Sequence, residues 1–229
     1  MEARRHPRAL EGVEPIYEGA EAYLYPVTWA GRRALAKWRP PKEYRHPAID
    51  AEIRRARTIA EVRGTLHALE AGVNAPAIYY VDVDDCIIFM EFIEGVLLRE
   101  YIDEHGASTR VLELAREAGR QTALMHSRGL VHGDLTTSNM MVTGSGKLYI
   151  IDYGLSGHAK TEREKAIDVH LFKRSLESTH PEYLEPLYNA FLKGYAEEAG
   201  EEAARRLDHL VEEIRMMGRY VEERRRRKP

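Results

Sequence analysis

One cysteine, Cys86, is all that the 229 residues contain, which excludes an internal disulfide and a cysteine-based zinc site within the chain. Long apolar runs are missing as well, since no stretch approaches the roughly twenty residues needed to span a bilayer. The first residues, with Arg4, Arg5, His6 and Arg8, lack the apolar segment of a signal peptide. A cytoplasmic protein with no membrane attachment is the expectation. Positive charge is not in excess: 34 Lys and Arg against 37 Asp and Glu give a formal net charge of −3, which argues against a uniformly cationic nucleic-acid coat. The charge is unevenly placed, however, and Arg224, Arg225, Arg226, Arg227 and Lys228 form either a solvated tail or a reach toward RNA or an acidic partner. Internal repeats and long linkers are absent too.

At 44% hydrophobic and 31% charged residues, the chain has an ordinary globular make-up and is long enough to bury a substantial core. Residues 13–39 combine β-branched and aromatic residues with turns at Gly19-Ala20 and Ala30-Gly31, predicting three antiparallel strands. On the third, alternation sets Arg33, Leu35, Lys37 and Arg39 on one side and Ala34, Ala36 and Trp38 on the other. Pro40 and Pro41 break it. A helix over 50–71 follows, with Ile49, Ile53, Ala56 and Ala60 as its apolar stripe and Gly72 as its stop. Its neighbourhood carries Lys42, Arg45, His46, Arg54, Arg55, Arg57 and Arg63, a solvated face or a docking face. Strands at 77–83 and 86–93 complete a five-stranded sheet, the second apolar enough to be buried on both faces. Beyond Gly95 the pattern turns helical: 96–104, then 108–128 with Val111, Leu114, Ala115, Ala118, Thr122 and Met125 inward, Ser108 as cap and Gly129 as stop. Helices at 161–178, 181–199 and 201–224 end the chain. The predicted class is α+β and two-lobed: a β-rich N-terminal lobe over 1–95 with one long helix, and a reduced helical C-terminal lobe over 96–229.

Residues 131–155, VHGDLTTSNMMVTGSGKLYIIDYGL, carry the chemistry. A hairpin at 139–143 and 147–151 separates Asp134 and Asn139 from Asp152, so a short loop, a hairpin and a second loop bring one amide and two carboxylates together. Asn139 and Asp152 offer the hard oxygen ligands that Mg²⁺ prefers. Asp134 is placed to orient, or take a proton from, the hydroxyl or water that attacks a nucleotide's terminal phosphate. Lys37 would hold the α- and β-phosphates as a point charge steadied by a helix glutamate. Glu52 and Glu61 lie on opposite flanks of the helix, and spacing leaves either as that glutamate. Taken singly, each residue has an ordinary explanation in loop hydrogen bonds, a turn or a solvated lysine; their joint order speaks for phosphoryl transfer. A metal hydrolase built on His126, His132 and Asp134 lacks further ligands.

His132-Gly133-Asp134-Leu135-Thr136-Thr137-Ser138-Asn139 resembles the protein-kinase catalytic loop H-R-D-L-x-x-x-N, Asp152-Tyr153-Gly154 resembles D-F-G, and Ala34-Leu35-Ala36-Lys37 resembles V-A-I-K. The resemblance implies a kinase-like fold that binds ATP and Mg²⁺, with the adenine on backbone groups of Glu91 and Ile93 and Met90 behind it. The turn at 18–22, with its single Gly19, is a plain hairpin by itself and takes the phosphate loop's place by this likeness. Lys42-Glu43-Tyr44-Arg45-His46-Pro47, Arg57-Thr58-Ile59-Ala60-Glu61, the H-G-D-L-T-T-S-N loop and Glu177-Ser178-Thr179-His180-Pro181 together are similar to the small atypical kinase of the KEOPS complex, the PRPK type. That likeness favours Glu61 as the partner of Lys37 and implies that Asp168 braces the catalytic loop. It also implies an ATP- and Mg²⁺-dependent subunit that works with a threonylcarbamoyl-transferring partner and other KEOPS proteins in modifying adenosine in transfer RNA. Such a subunit acts as an ATPase when docked and phosphorylates serine when alone.

Several features depart from the kinase pattern. Gly133 replaces the arginine that reads a phosphorylated activation loop, little chain separates Gly154 from the next helix, and no A-P-E segment is present. Leu35 replaces the usual small residue over adenine. A small-molecule kinase of the aminoglycoside or choline type shares the H-G-D loop, and a scaffold merely stabilised by nucleotide is the third reading.

Overall fold

Two positive backbone angles make the first long hairpin. Ala30 at φ +47° and Gly31 at φ +77° form a two-residue loop whose twist matches that of its flanking strands. The structure, a computed structural model, describes residues 7–226, with side chains described through Met217. The basic run at 224–228 lies outside those described side chains, and so do Arg4, Arg5 and His6. A five-stranded antiparallel sheet forms from β1 (Tyr17–Glu18), β2 (Tyr23–Trp29), β3 (Arg32–Trp38), β4 (Ile78–Asp82) and β5 (Ile87–Glu91), in the order β1-β2-β3-β5-β4. One face buries Tyr25, Ala36, Trp38, Ile87 and Phe89 with Leu10 in a small core. Alternation turns Lys37 and Arg39 the other way, toward α1 (Pro47–Glu70), where both are buried.

Helix α1 departs from expectation in two respects. It begins at Pro47 rather than residue 50, because proline brings a preset φ and needs no donor at the first helical position. Its inward face, moreover, is polar: Ile49 is 56% exposed, while Asp50, Thr58, Glu61, Gly64, Thr65 and Ala68 are buried. The period is helical, but the stripe is set by what faces it: Glu61 meets Lys37 and Arg39, and Gly64 lies against Tyr153 and Ser156. The main core is reached at Ala68. Thr58 and Thr65 donate their hydroxyls to Arg54 O and Glu61 O at 2.9 and 2.7 Å, so both are satisfied within the helix.

The chain continues through β6 (Gly95–Leu97), α2 (Leu98–His105), α3 (Thr109–Ser127), β7 (Leu130–Val131), β8 (Met140–Thr143), β9 (Leu148–Ile150), β10 (Gly157–His158), α4 (Glu162–Thr179), α5 (Leu184–Ala199) and α6 (Glu201–Arg226). The hairpin β8-β9 is the expected one. The helix expected over 96–104 begins only at Leu98, because residues 95–97 instead pair with β8; a Cβ on Gly95 would stand 2.3 Å from Val142 O, so glycine permits the approach. Helix α3 buries all six predicted stripe residues and stops before Gly129 at φ +71°. Ser108 occupies its N-cap without a capping bond from the hydroxyl. Thr161 does cap α4, its side chain accepting Glu164 N while Glu164 accepts Thr161 N at 2.9 Å. Helix α5 starts later than expected because residues 181–183 form a tighter 3-10 turn, and Pro186 then sits in the first turn of α5, where no intrahelical donor is required. Asn74 stitches the exit of α1 to these elements, donating to Gln121 Oε1 and Leu148 O at 3.0 Å each and accepting from Ile150 N at 2.9 Å. Among the described residues no helix is long and apolar enough to cross a membrane.

Helices α3 and α5 cross in backbone contact. A Cβ on Gly119 would lie 1.9 Å from Phe191 O, and one on Gly194 would lie 1.8 Å from Arg116 O. An exposed mid-helix Gly→Ala change ordinarily stabilises. Here Gly119→Ala is expected to destabilise by about 1–3 kcal/mol through overpacking, read as a lower melting temperature, and a gain would contradict the close crossing.

Candidate active site

Strand β3 and helix α1 meet through charge. Lys37 Nζ lies 2.7 Å from Glu61 Oε1 and 2.8 Å from Asp152 Oδ1, and Arg39 Nη2 donates to Glu61 Oε2 at 2.5 Å. The structure thus pairs Lys37 with Glu61; Glu52 is exposed. Burial alone would drive the Lys37 ammonium toward deprotonation, yet Glu61 and Asp152 more than offset it and hold its pKa above the ordinary lysine value. Burial likewise works against the Asp152 carboxylate, but Lys37, with Arg39 farther off, holds it below the usual carboxylate range. Asp152 adopts φ +64°, a conformation few non-glycine residues take, and its side chain remains 46% exposed. Strain at a half-open carboxylate is expected where the carboxylate has a task.

The second half of the site is fixed from below. Asp168 on α4, nearly closed to solvent, accepts His132 N at 2.5 Å and Gly133 N at 2.7 Å. His126 Nε2 lies 3.3 Å from the same carboxylate, and its Nδ1 is 3.1 Å from the Tyr195 hydroxyl. His132 reaches Ile151 O through Nε2 at 3.0 Å while Nδ1 accepts Asp134 N at 3.3 Å. Both imidazoles are therefore engaged in holding the loop, which removes them as metal ligands. Asn139 Nδ2 donates to Asp134 O at 2.8 Å and Asp134 Oδ2 at 2.9 Å, which commits the amide nitrogen and leaves the side-chain oxygen as the group able to meet a cation. Its backbone carbonyl accepts Ile151 N at 2.9 Å, so Asn139 is brought next to Asp152.

The remaining predicted residues sit along the cleft's edge. Met90 is buried opposite Leu35, and Glu91 pairs with Ala34. Glu91 N donates to Ala77 O at 2.8 Å, and its carboxylate accepts Ala77 N at 3.2 Å. Ile93 is half-buried just beyond. Gly19 N donates to Ala22 O at 3.0 Å, and a Cβ there would stand 2.7 Å from the Tyr17 ring, so this turn is a tight hairpin. The sequence points to no role for Arg39, and to His126 only as a ligand in the metal-hydrolase alternative, not as a support for Asp168. Period-two alternation did set Arg39 beside Lys37, whereas nothing local ties His126 to Asp168, 42 residues away. The basic face near α1 is largely neutralised within the chain: Arg54 Nε bonds Asp50 at 2.8 Å, Arg45 lies 3.6 Å from Asp50, Arg55 pairs with Asp84 and Arg57 with Glu21.

A β-rich sheet over a helical base, with a lysine-glutamate pair facing an aspartate-asparagine loop, defines a kinase-like protein. A family model described as RIO domain matches residues 41–177. The KEOPS complex subunit Bud32 of Pyrococcus abyssi is 41% identical over 213 residues, 90% of this chain and 96% of that protein. The EKC/KEOPS complex subunit Tp53rkb of Mus musculus is 36% identical over 218 residues, 92% and 88% of the two chains. A probable bifunctional tRNA threonylcarbamoyladenosine biosynthesis protein of Methanosarcina mazei is 42% identical over 211 residues, 91% of this chain but 36% of that protein. The chain belongs to the RIO-domain family and, within it, to the PRPK-type KEOPS subunits.

Gly133 at φ +80° would bring a Cβ within 2.2 Å of Leu155 O. Gly133→Ala is expected to cost about 1–3 kcal/mol of stability, read by chemical denaturation. A second expectation concerns pH. Asp152, lowered on folding, adds stability above its ordinary 3.8 that is lost as pH falls further, and Lys37, raised on folding, adds stability below its ordinary 10.5 that is lost as pH rises past it. The stability difference between wild type and Lys37→Met should hold level from roughly pH 5 to 9 and shrink at both extremes, as measured by urea unfolding at a series of pH values.

Proposed function

We propose that this chain is an ATP- and Mg²⁺-dependent ATPase or serine/threonine kinase subunit of a KEOPS assembly, supporting threonylcarbamoyl modification of adenosine in transfer RNA. The observation that carries the reading is the convergence of Lys37, Glu61 and Asp152 beside the Asp134–Asn139 pair. Phosphoryl transfer asks a protein for alignment and charge neutralisation more than for covalent chemistry. Lys37 binds the α- and β-phosphates, and Glu61 keeps it in place. Asp134 accepts a hydrogen bond from the attacking hydroxyl or water and takes its proton. The Glu91 carbonyl and Ile93 N–H bind the adenine edge, Met90 closes the pocket behind it, and the Gly19 turn lies over the phosphates. The donor set fits magnesium: Asn139 spends its nitrogen on Asp134, leaving its oxygen, and Asp152 offers a half-open carboxylate. Bound there, the ion supplies positive charge against the phosphate oxygens.

Partners follow from relatives. The Bud32 and Tp53rkb proteins are named as KEOPS subunits. In the Methanosarcina mazei protein a related segment is about a third of a polypeptide named for tRNA threonylcarbamoyladenosine biosynthesis, which supports a threonylcarbamoyl-transferring partner; a cytoplasmic setting belongs to the same proposal. Transfer RNA contact through the basic tail belongs to the same proposal, while the compensated charges near α1 lend that face little pull on RNA. Residues 155–161 between Gly154 and α4 are partly committed to the pairing of β10 with β7, which favours water over a docked peptide as acceptor.

The test is phosphate release from ATP by the chain assembled with its transferring partner and transfer RNA. Asp134→Ala and Asp152→Ala are each expected to lower turnover by about 10²-fold or more. Unchanged turnover in both would remove the site from the reaction. Full tRNA modification by the Asp134→Ala protein would make the chain a scaffold instead.

A further inference from the structure

Arg39 has no task in the phosphoryl-transfer reading, yet it is buried where three elements of the cleft meet. Its Nη2 donates to Glu61 Oε2, the oxygen that Lys37 leaves free. Its Nε and Nη1 are buried with no hydrogen-bond partner. A Cβ on Gly154 would stand 3.0 Å from Arg39 Nη2 and 3.7 Å from Glu61 Oε2, so the guanidinium also backs the Asp152-Tyr153-Gly154 turn. A guanidinium has several N–H donors, and burying it with most of them unmet is costly. What this one adds is a second hold on a carboxylate that already has one.

The need for a second hold comes from Lys37. Its ammonium is shared between Glu61 and Asp152 at 2.7 and 2.8 Å, and a phosphate arriving in the cleft draws N–H donors away from both. Glu61 then faces loss of its partner in a site nearly closed to water, where an uncompensated carboxylate is strongly unfavourable. Arg39 cannot follow the phosphate: it sits two residues farther along the chain, just past the end of β3, and is tied to α1 by the opposite oxygen. Its fixed positive charge also favours the ionised form of Asp152.

We propose that Arg39 is a positioning residue that keeps Glu61, and through it α1 and the Asp152-Tyr153-Gly154 turn, in working arrangement while Lys37 turns to the phosphates. This rests on Lys37 being the phosphate lysine. It gives the chain a helix anchor that needs no phosphorylated segment, in a protein with residues 155–161 alone between the turn and α4.

A double-mutant cycle on the full chain, without nucleotide, tests it through amide hydrogen exchange across residues 58–65. Lys37→Met imitates a lysine that has left Glu61. Arg39→Met is expected to speed exchange a few-fold in wild type and about tenfold more in the Lys37→Met background, the size of a lost charged hydrogen bond. Arg39→Lys in that background should restore most of the protection. Equal factors in the two backgrounds would make Arg39 a brace indifferent to Lys37 and overturn the proposal, as would no change in either. Should the double variant not fold, the same cycle with Arg39→Lys decides, a smaller excess in the Lys37→Met background being the expected result and equal factors the contrary one. Exchange of wild type with a magnesium complex of a non-hydrolysable ATP analogue examines the nucleotide reading separately. Protection gained at 35–39 and 150–154 supports that reading, and its absence counts against that reading while the cycle still reports on the clamp.

Discussion

Glu61 accepts two cations, Lys37 of β3 and Arg39 just past its end, and much of the cleft is arranged around that fact. A carboxylate buried this deeply is tolerated because Lys37 and Arg39 stand at 2.7 and 2.5 Å on its two oxygens, and the cations are tolerated because Glu61 and Asp152 answer them. Removing any one leaves an uncompensated charge in a poorly solvated place. The arrangement explains why the inward face of α1 is polar. It also explains why small residues crowd the cluster: a Cβ on Gly64 would meet Ser156 Oγ at 2.0 Å, and one on Gly154 would press on Arg39.

A second buried carboxylate does for the lower half of the site what Glu61 does for the upper. Asp168 takes the backbone N–H groups of His132 and Gly133 and a histidine that is itself held by Tyr195. Hydrogen bonds to a carboxylate are among the stronger ones, so the loop's course is set by α4. Gly133 bends with a positive φ beneath Leu155, and β10 pairs with β7. The segment after Asp152-Tyr153-Gly154 is thereby used to close the loop, where a signalling kinase would carry a long switch.

The same economy runs through the packing. Helices α3 and α5 approach until backbone replaces side chain at Gly119 and Gly194, and Asn74 ties the exit of α1 to α3 and β9. The charged helix is thus anchored at one end by hydrogen bonds to the helical base and near its middle by the ion pairs of Glu61 with Lys37 and Arg39.

The order of the longer elements, the class of the fold, the turn at Ala30-Gly31, the stripe of α3 and the residues of the 132–139 loop were readable in the sequence, because each rests on local periodicity, on backbone preference or on closely spaced side chains. Lys37 and Arg39 were readable as neighbours for the same reason. The stripe of α1 was not, since periodicity says that one face is buried without saying what covers it, and here the cover is charge. Two-residue strands such as β7 and β10 carry no pattern long enough to detect. Glu61 over Glu52, Asp168 beneath His132 and His126 behind Asp168 join residues 24 to 42 positions apart. The sequence by itself determined which chemical groups are present and which strand, loop or helix bears each; only the tertiary structure decided which of them touch, because contact at that separation is fixed by how the sheet and helices pack.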